Sequence, residues 1–231
     1  MTAIRLLRRR PLRAAALAVA GVCLAGVASG CSGTAHADQS CGNSVVQLSG
    51  PCPGPDSLRG DVLRPPDHEP DIVMKDTSGS RYNIETANPG KNVLLYFGYT
   101  HCPDICPALM ADTASALRQL SPAVRAKYQL VFITVDPVRD TPRRLARWLH
   151  YFSPSFVGLR APVRAVIAAQ KAAGVPVSKI IHGKHYTVQH SAELLVYSPD
   201  HEAHVVYTLG PTTVTDLTHD LPLIAAKTDW Q

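Results

Sequence analysis

Two cysteines and a histidine are the residues of this chain whose types and spacing are suited to a chemical function. Cys102 and Cys106 stand four residues apart in the segment YFGYTHCPDICP, which comprises residues 96–107. Residues at i and i+4 lie on one side of a helical turn, with Cβ atoms about 5–6 Å apart, and Pro103 and Pro107 suit a first helical turn. The thiols should therefore lie at a solvent-facing strand-to-helix junction, where the positive end of the helix favours thiolates.

Thiolates at such a junction favour soft metal ions, namely Cu(I), zinc or an iron–sulfur cluster. Two sulfurs are too few for a cluster, and a structural zinc site needs four ligands, so a third ligand should come from elsewhere in the fold. His190, in the segment YTVQHS, directly precedes an apolar run at the sheet end where loops would meet the cysteine turn. Two thiolates and one imidazole suit copper, as Cu(I) or as Cu(II) with a further donor. We therefore expect one copper ion per domain, bound by Cys102, Cys106 and His190.

The remaining histidines are weaker candidates as ligands. His101 adjoins the first cysteine, but adjacent positions at the end of a strand point to opposite sides. His182 and His185 lie in a loop containing glycine and lysine, where we expect them to be exposed, with a role as auxiliary donors as the alternative. His201 and His204 belong to a hairpin at the far end of the sheet, and we expect them to be solvated.

The elements that must position these residues follow from hydrophobic periodicity and turn composition. Apolar runs predict buried central strands at 92–98 and 129–135. Two pairs of strand-like segments, each on either side of a turn sequence, predict hairpins: 71–75 with 81–84, and 193–197 with 204–208. Helices are predicted at 107–120, at 163–173 and at 213–226. A further helix should begin at residue 142, with Thr141 as its N-cap and Pro142 at its first position. Asp136 and Asp140 should shape the turn before that helix.

This order of elements predicts an α/β fold in which a mixed sheet carries helices on both faces. Because the two cysteines directly follow the first buried strand, the nearest known plan is the thioredoxin fold. Composition is that of an ordinary globular domain, and we place this domain at residues 67–231.

Three blocks of sequence resemble the Sco/SenC family: FGYTHCPDICP at 97–107, VDPVRDTP at 135–142, and His190–Ser191 before a strand. The resemblance covers about residues 67–226. It implies a membrane-tethered, thioredoxin-fold copper protein that serves cytochrome c oxidase assembly, with Cys102, Cys106 and His190 as ligands. Gln189 departs from the acidic residue that the family often has there. An uncharged neighbour of the histidine should adjust Cu(II) affinity without abolishing the site.

By this resemblance, we expect the protein to deliver copper to the binuclear copper site of cytochrome c oxidase subunit II, or to another copper-accepting protein. The alternatives are a thiol–disulfide reductase that acts on the cysteines of that site through Cys102 and Cys106, and a redox or copper sensor. Thioredoxin-like reductases use C-x-x-C, which this chain lacks, and the peroxiredoxin pattern would need Pro and Thr in place of Leu95 and Tyr99.

The N-terminus predicts export. Residues 1–30 combine five arginines, a short apolar run and small residues before Cys31, which describes a secretory signal peptide. About fifteen apolar residues are too few to span a bilayer comfortably. Ala28-Ser29-Gly30-Cys31 resembles the bacterial lipobox, so Cys31 should carry a lipid that holds the mature protein outside the cytoplasmic membrane.

The charge distribution argues against nucleic-acid binding. The whole chain is formally +5, but its first thirty residues carry five arginines and no acidic residue. The mature part therefore has no net formal charge, and the basic pI belongs to the targeting segment.

Residues 31–66 are small, polar and rich in proline, and we expect a flexible stalk between lipid and domain. Cys41 and Cys52 lie in this segment. A disulfide between them is permitted outside the cytoplasm, and the sequence leaves both the bonded and the free form open.

Replacing Cys31 with Ser tests the anchor. The wild-type protein should partition with membranes, whereas the Cys31→Ser variant should be released, because acyl chains stabilise membrane binding by about 0.8 kcal/mol for each buried CH₂. Membrane fractionation and mass spectrometry of the mature N-terminus provide the measurement. An unmodified N-terminus at another residue would rule out the lipoprotein and leave only export.

Overall fold

The computed structural model describes residues 57–182, 186–228 and 230 of the 231-residue chain. These ranges contain ten strands: β1 (Asp61–His68), β2 (Val73–Asp76), β3 (Arg81–Asn83), β4 (Asn92–Gly98), β5 (Tyr128–Thr134), β6 (Val157–Arg160), β7 (Lys179–Ile181), β8 (Thr187–Gln189), β9 (Glu193–Tyr197) and β10 (Glu202–Thr208). They also contain six helices: α1 (Ile84–Ala87), α2 (Ile105–Gln119), α3 (Pro122–Arg125), α4 (Pro142–Phe152), α5 (Val163–Ala172) and α6 (Thr213–Ala226).

Eight of these strands form one mixed sheet in the order β1-β10-β9-β4-β5-β6-β2-β3, and β7 and β8 form a separate antiparallel ribbon. Strands β4, β5 and β6 are parallel neighbours, while the other pairs in the large sheet are antiparallel. Parallel neighbours need crossover connections, which α2 and α4 supply. The predicted α/β fold with a mixed sheet is confirmed, as are both predicted hairpins.

The centre of the sheet is built from the two apolar runs. All seven residues of β4 are buried, and only Gln129 of β5 is partly exposed. A strand buried on both faces needs apolar side chains at every position, which is the pattern that the sequence shows. The cysteine turn therefore starts from the most deeply buried strand of the sheet.

The helix after β5 begins as predicted. The Thr141 side chain accepts a hydrogen bond from the Arg144 amide at 3.3 Å, and Pro142 occupies the first helical position. Strand β6 was not predicted, because its four residues include Gly158. A Cβ at Gly158 would lie 2.7 Å from Cδ1 of Leu149, so the glycine lets α4 pack directly on the strand.

The predicted start of the domain at residue 67 is wrong. Residues 61–66, assigned above to the stalk, belong to β1, which pairs with β10 from Asp61 opposite Val206 to His68 opposite Glu202. All but one residue of β1 is exposed, so it has no apolar alternation. Among the described residues it lies at the edge of the sheet, where Pro65 is tolerated because no described strand on its outer side needs the missing N–H.

Several predictions fall outside the described residues: the signal peptide, Cys31, the stalk as far as residue 56 with Cys41 and Cys52, and His185. In the described part of the chain, no helix is both long enough and apolar enough to cross a membrane.

Candidate metal centre

The cysteines lie between the end of β4 and the first turn of α2. The Asp104 side chain caps the helix by accepting a hydrogen bond from the Ile105 amide at 2.7 Å. The Cys106 amide points at Cys102 Sγ, 3.4 Å away. The predicted junction is confirmed, but the thiols are not solvent-facing: Cys102 is 8% exposed and Cys106 is fully buried. Both are free cysteines.

His190 reaches this turn from the segment between β8 and β9. Its Nε2 lies 3.3 Å from Cys106 Sγ, and its Nδ1 lies 2.6 Å from the carbonyl oxygen of Ser191. A carbonyl oxygen only accepts, so Nδ1 must carry the proton that this bond requires. The lone pair of Nε2 therefore faces the thiols, which is the tautomer that a metal ligand needs.

Aromatic side chains enclose the imidazole and the inner thiol. The hydroxyl of the fully buried Tyr96 lies 3.6 Å from Cys106 Sγ. The rings of Tyr96 and Tyr99 stand edge-on to His190, with centroids 6.0 and 5.4 Å away. Gly98 admits the sulfur, because a Cβ there would lie 2.8 Å from Cys106 Sγ. Sequence reasoning missed these three residues, although all belong to the block that contains the cysteines.

The three predicted ligands form a group that could hold one metal ion. Their Sγ, Sγ and Nε2 atoms all lie within 4.8 Å of one another, and among the described residues no other trio of His, Cys, Asp or Glu meets this test. Two metal–ligand bonds of about 2.0–2.3 Å, as zinc makes to nitrogen and sulfur, span up to about 4.6 Å, which is comparable with that limit. Two thiolates with one imidazole match the donors that soft ions prefer. The residues therefore fit a soft metal ion.

Residues 65–221 match the family model described as SCO1/SenC. The chain belongs to the SCO1/SenC family. Its large mixed sheet has the thioredoxin-like arrangement found in the solved members.

Relatives of this SCO1/SenC chain include a protein of Stutzerimonas stutzeri that is named for copper binding, 35% identical over 132 residues. That match covers 57% of this chain and 64% of the relative. The mitochondrial SCO2 homolog of Bos taurus is 38% identical over 115 residues, which cover 48% of this chain and 43% of that protein. The chain thus spans less than two thirds of the length of either relative.

Two solved structures with copper bound resemble the fold. ScoI of Bradyrhizobium japonicum has a TM-score of 0.61 at 28% identity, covering 68% of this chain and 99% of that one. Yeast Sco1 has a TM-score of 0.60 at 29% identity, covering 71% of this chain and 91% of that one.

The two thiols of this SCO1/SenC site differ in acidity. The hydrogen bond with Cys106 is the largest cause that lowers the pKa of Cys102, to about 4, with the backbone amides of Cys106 and Asp104 adding to it against the opposing effect of burial. Burial is the main cause that raises the pKa of Cys106, and the neighbouring Cys102 adds to it. The prediction of two thiolates therefore needs correction: without metal the pair consists of one thiolate and one thiol.

The fully buried carboxylate of Asp140 holds the start of the cysteine turn. It accepts hydrogen bonds from the Thr100 amide at 2.9 Å, the Thr100 hydroxyl at 2.5 Å and the Thr134 hydroxyl at 2.6 Å. His101 Nδ1 lies 3.4 Å from the same carboxylate. Asp140 thus does more than shape its own turn, and His101 lies beside Asp140, outside the trio that could hold a metal ion.

A second set of contacts, which we call the arginine clamp (Asp136, Arg139 and Tyr186), holds the segment that leads to His190. Arg139 Nη1 donates to the Tyr186 carbonyl at 3.0 Å, and its guanidinium lies 3.7 Å from the centre of the Tyr186 ring. Its Nε pairs with the carboxylate of Asp136, which also accepts the Tyr186 hydroxyl at 3.0 Å. The clamp ties β8 to the turn after β5.

The expected solvent exposure of the other histidines is met at some positions and not at others. His182 is exposed as expected. His201 is partly exposed and lies 2.7 Å from a carboxylate oxygen of Glu69. The expectation of a solvated His204 is wrong: this residue is 7% exposed, because its ring stacks on Trp230 at 4.2 Å between centroids.

Gln189, the departure from the family pattern, is exposed at the end of β8. The imidazole of His190 is oriented instead by the Ser191 carbonyl. Because a main-chain group holds the ring, the orientation does not depend on an acidic side chain at position 189.

Replacing Arg139 with Gln tests the clamp. The amide of Val188, which donates to the Tyr99 hydroxyl at 3.3 Å, should exchange with solvent about 10- to 150-fold faster, since a hydrogen bond to a charged group contributes about 1.5–3 kcal/mol. Native-state hydrogen exchange measures this. Arg147→Gln, an exposed arginine on α4, is the matched control. Unchanged protection of Val188 in Arg139→Gln would show that the clamp does not hold this segment.

Proposed function

We propose that this SCO1/SenC protein binds one copper ion through Cys102, Cys106 and His190 and delivers it to the binuclear copper site of cytochrome c oxidase during assembly. The observation that carries the proposal is the convergence of two free thiols with an imidazole whose Nε2 lone pair is turned towards them. The copper-bound relatives described above support copper as the metal.

Each residue has a separate task in loading. Cys102 is already a thiolate at neutral pH and offers the first sulfur. Cys106 must lose its proton as the second Cu–S bond forms, so copper uptake releases a proton. His190 completes the set through Nε2 while the Ser191 carbonyl holds its Nδ1–H. Both Cu(I) and Cu(II) suit this donor set, Cu(II) with a further donor.

Delivery requires a ligand that can leave. His190 follows the β7–β8 ribbon, whose strands have three residues each and, within the described residues, pair with each other and not with the large sheet. The cysteines are held by the central strand and by α2. We expect the imidazole to leave first, while the two thiolates hold the copper until thiolates of the acceptor displace them.

Location and partner complete the proposal. Residues 1–30 act as a signal peptide, and a lipid on Cys31 holds the protein at the outer face of the cytoplasmic membrane. The acceptor is the copper-binding subunit II of the oxidase or another copper-accepting protein, and nucleic acid is not a partner.

A thiol–disulfide reductase is the second candidate, and the low pKa of Cys102 favours it. The Cys102 thiolate would attack a partner disulfide and release one partner thiolate. Cys106 would then give up its proton and displace the second, leaving a Cys102–Cys106 disulfide that a cellular dithiol must reduce. Burial raises the pKa of Cys106, which slows this second step. Pure exchange also gives His190 no task.

Copper binding by the mature protein, without the signal peptide, tests the metal site. This protein should bind one copper ion, and Cys102→Ala, Cys106→Ala and His190→Ala should each weaken binding by more than about 100-fold, beyond the 10- to 100-fold cost of losing an outer partner of a ligand. His150→Ala, an exposed histidine on α4, is the control. Competition titration and sulfur-to-Cu(II) absorption provide the readouts. Full affinity in His190→Ala would identify another third ligand, with His185 tested next.

Oxidase assembly separates delivery from reduction. Cells with His190→Ala should assemble oxidase poorly, and added copper should partly restore it, because a higher ligand concentration offsets a weakened site. The Cys102→Ala/Cys106→Ala double variant should lose at least as much. Oxidase activity is compared at matched abundance of the protein. Normal oxidase in His190→Ala cells beside a defect in the cysteine variant would replace delivery with the reductase.

A further inference from the structure

A groove of about 820 Å³ lies between the β2–β3 hairpin, the turn after β5 and the start of α5. Three of the seven exposed large hydrophobic side chains in the described part of the chain line it: Val73, Val138 and Val163, which are 37%, 77% and 39% exposed. Clustered apolar surface of this kind marks an interaction site more often than single exposed residues do.

A row of three cations crosses the strands beside these valines. Lys75 on β2 is the register partner of Arg81 on β3 and of Arg160 on β6, and all three line the groove. Like charges directly opposite one another on neighbouring strands are destabilising. Repulsion between these like charges therefore destabilises the fold here, and a negatively charged partner would relieve it.

No acidic side chain of the described residues neutralises this cationic row. None of its three members forms an ion pair within those residues. Asp76, the acidic residue of the groove, turns its carboxylate to its own turn, where it accepts from the Ser78 amide at 2.8 Å and the Ser80 amide at 3.0 Å. The charge is thus available to a partner.

The groove adjoins the metal centre through one turn. Pro137 and Val138 line the groove, while Asp136 and Arg139 of the same turn form the arginine clamp. Arg160 also donates to the Pro137 carbonyl at 2.6 Å, which fixes this wall of the groove to β6. A segment seated in the groove would therefore contact the turn that also supplies two residues of the arginine clamp.

We propose that this groove is the docking surface for the copper acceptor, which inserts a segment carrying an apolar side chain flanked by carboxylates. This inference rests on the proposed function, since it names a recognition surface for the delivery partner. The apolar side chain packs on Val73, Val138 and Val163, and the carboxylates bridge Lys75 and Arg81. A concave apolar groove fits a protein segment better than a flat layer of anionic lipid.

The test uses the mature protein, without the signal peptide. The probe is the purified copper-binding domain of the cell's own oxidase subunit II. Lys75→Glu/Arg81→Glu should weaken binding at least tenfold, and the salt dependence of binding should fall, since charge complementarity is lost. Val138→Ser should weaken binding several-fold without altering its salt dependence. Titration calorimetry at two ionic strengths measures both effects, and copper stoichiometry and circular dichroism establish that the variants are folded.

The matched control is Arg118→Glu/Arg147→Glu, which makes the same change of net charge at exposed positions on α2 and α4, outside the groove. It should bind the oxidase domain within about twofold of wild type. Equal weakening in the control would indicate general charge attraction and overturn the groove. Undiminished binding by the Lys75→Glu/Arg81→Glu variant would also overturn it, as would wild-type binding to phosphatidylglycerol vesicles but not to the oxidase domain.

His190→Ala distinguishes failure of docking from failure of delivery. This variant should bind the oxidase domain normally and, without added copper, transfer copper much more poorly than the wild type. Normal docking with no copper transfer by the wild type would refute delivery while the docking surface stands. Wild-type transfer rates in the groove variant would refute the docking surface while delivery stands.

Discussion

The geometry of the metal centre depends on the hydrogen bonds that the buried carboxylate of Asp140 accepts. A charged group that is removed from water must be satisfied by hydrogen bonds, and three donors from Thr100 and Thr134 surround this one. Thr100 starts the cysteine turn, and Thr134 ends β5. The carboxylate thus locks the ends of two neighbouring parallel strands into one arrangement, and the positions of Cys102 and Cys106 follow from it.

The two halves of the centre are held with different strength. The thiols are carried by the fully buried β4 and by the capped start of α2, whereas His190 follows a small ribbon that the arginine clamp ties to the domain. Elements with few buried contacts open at lower free energy than the core does. For the proposed delivery of copper, this division would let the imidazole move while the thiolates stay in place.

Much of this arrangement could be predicted from the sequence, for reasons that are visible in particular residues. Continuous apolar runs identified β4 and β5, Thr141–Pro142 identified the start of α4, and the spacing of Cys102 and Cys106 identified the junction. Strand β1 and the stacked His204 escaped prediction because their partners, β10 and Trp230, are distant in sequence. The burial of the thiols depends on Tyr96 and Gly98, whose roles follow only from three-dimensional packing.

The turn after β5 explains how one short segment can serve both the metal centre and the groove. The Asp140 amide donates to the Asp136 carbonyl at 3.0 Å, which is the i to i+4 bond of a helical turn. Such a turn brings i, i+3 and i+4 to one side, so Asp136 and Arg139 contact Tyr186 from the same side on which Asp140 contacts Thr100. Pro137 and Val138 are left on the other side, in the wall of the groove. Any force that a docked segment exerts on Val138 is therefore applied to the same turn that holds the cysteine loop and the arginine clamp, which connects recognition of a partner to both halves of the site.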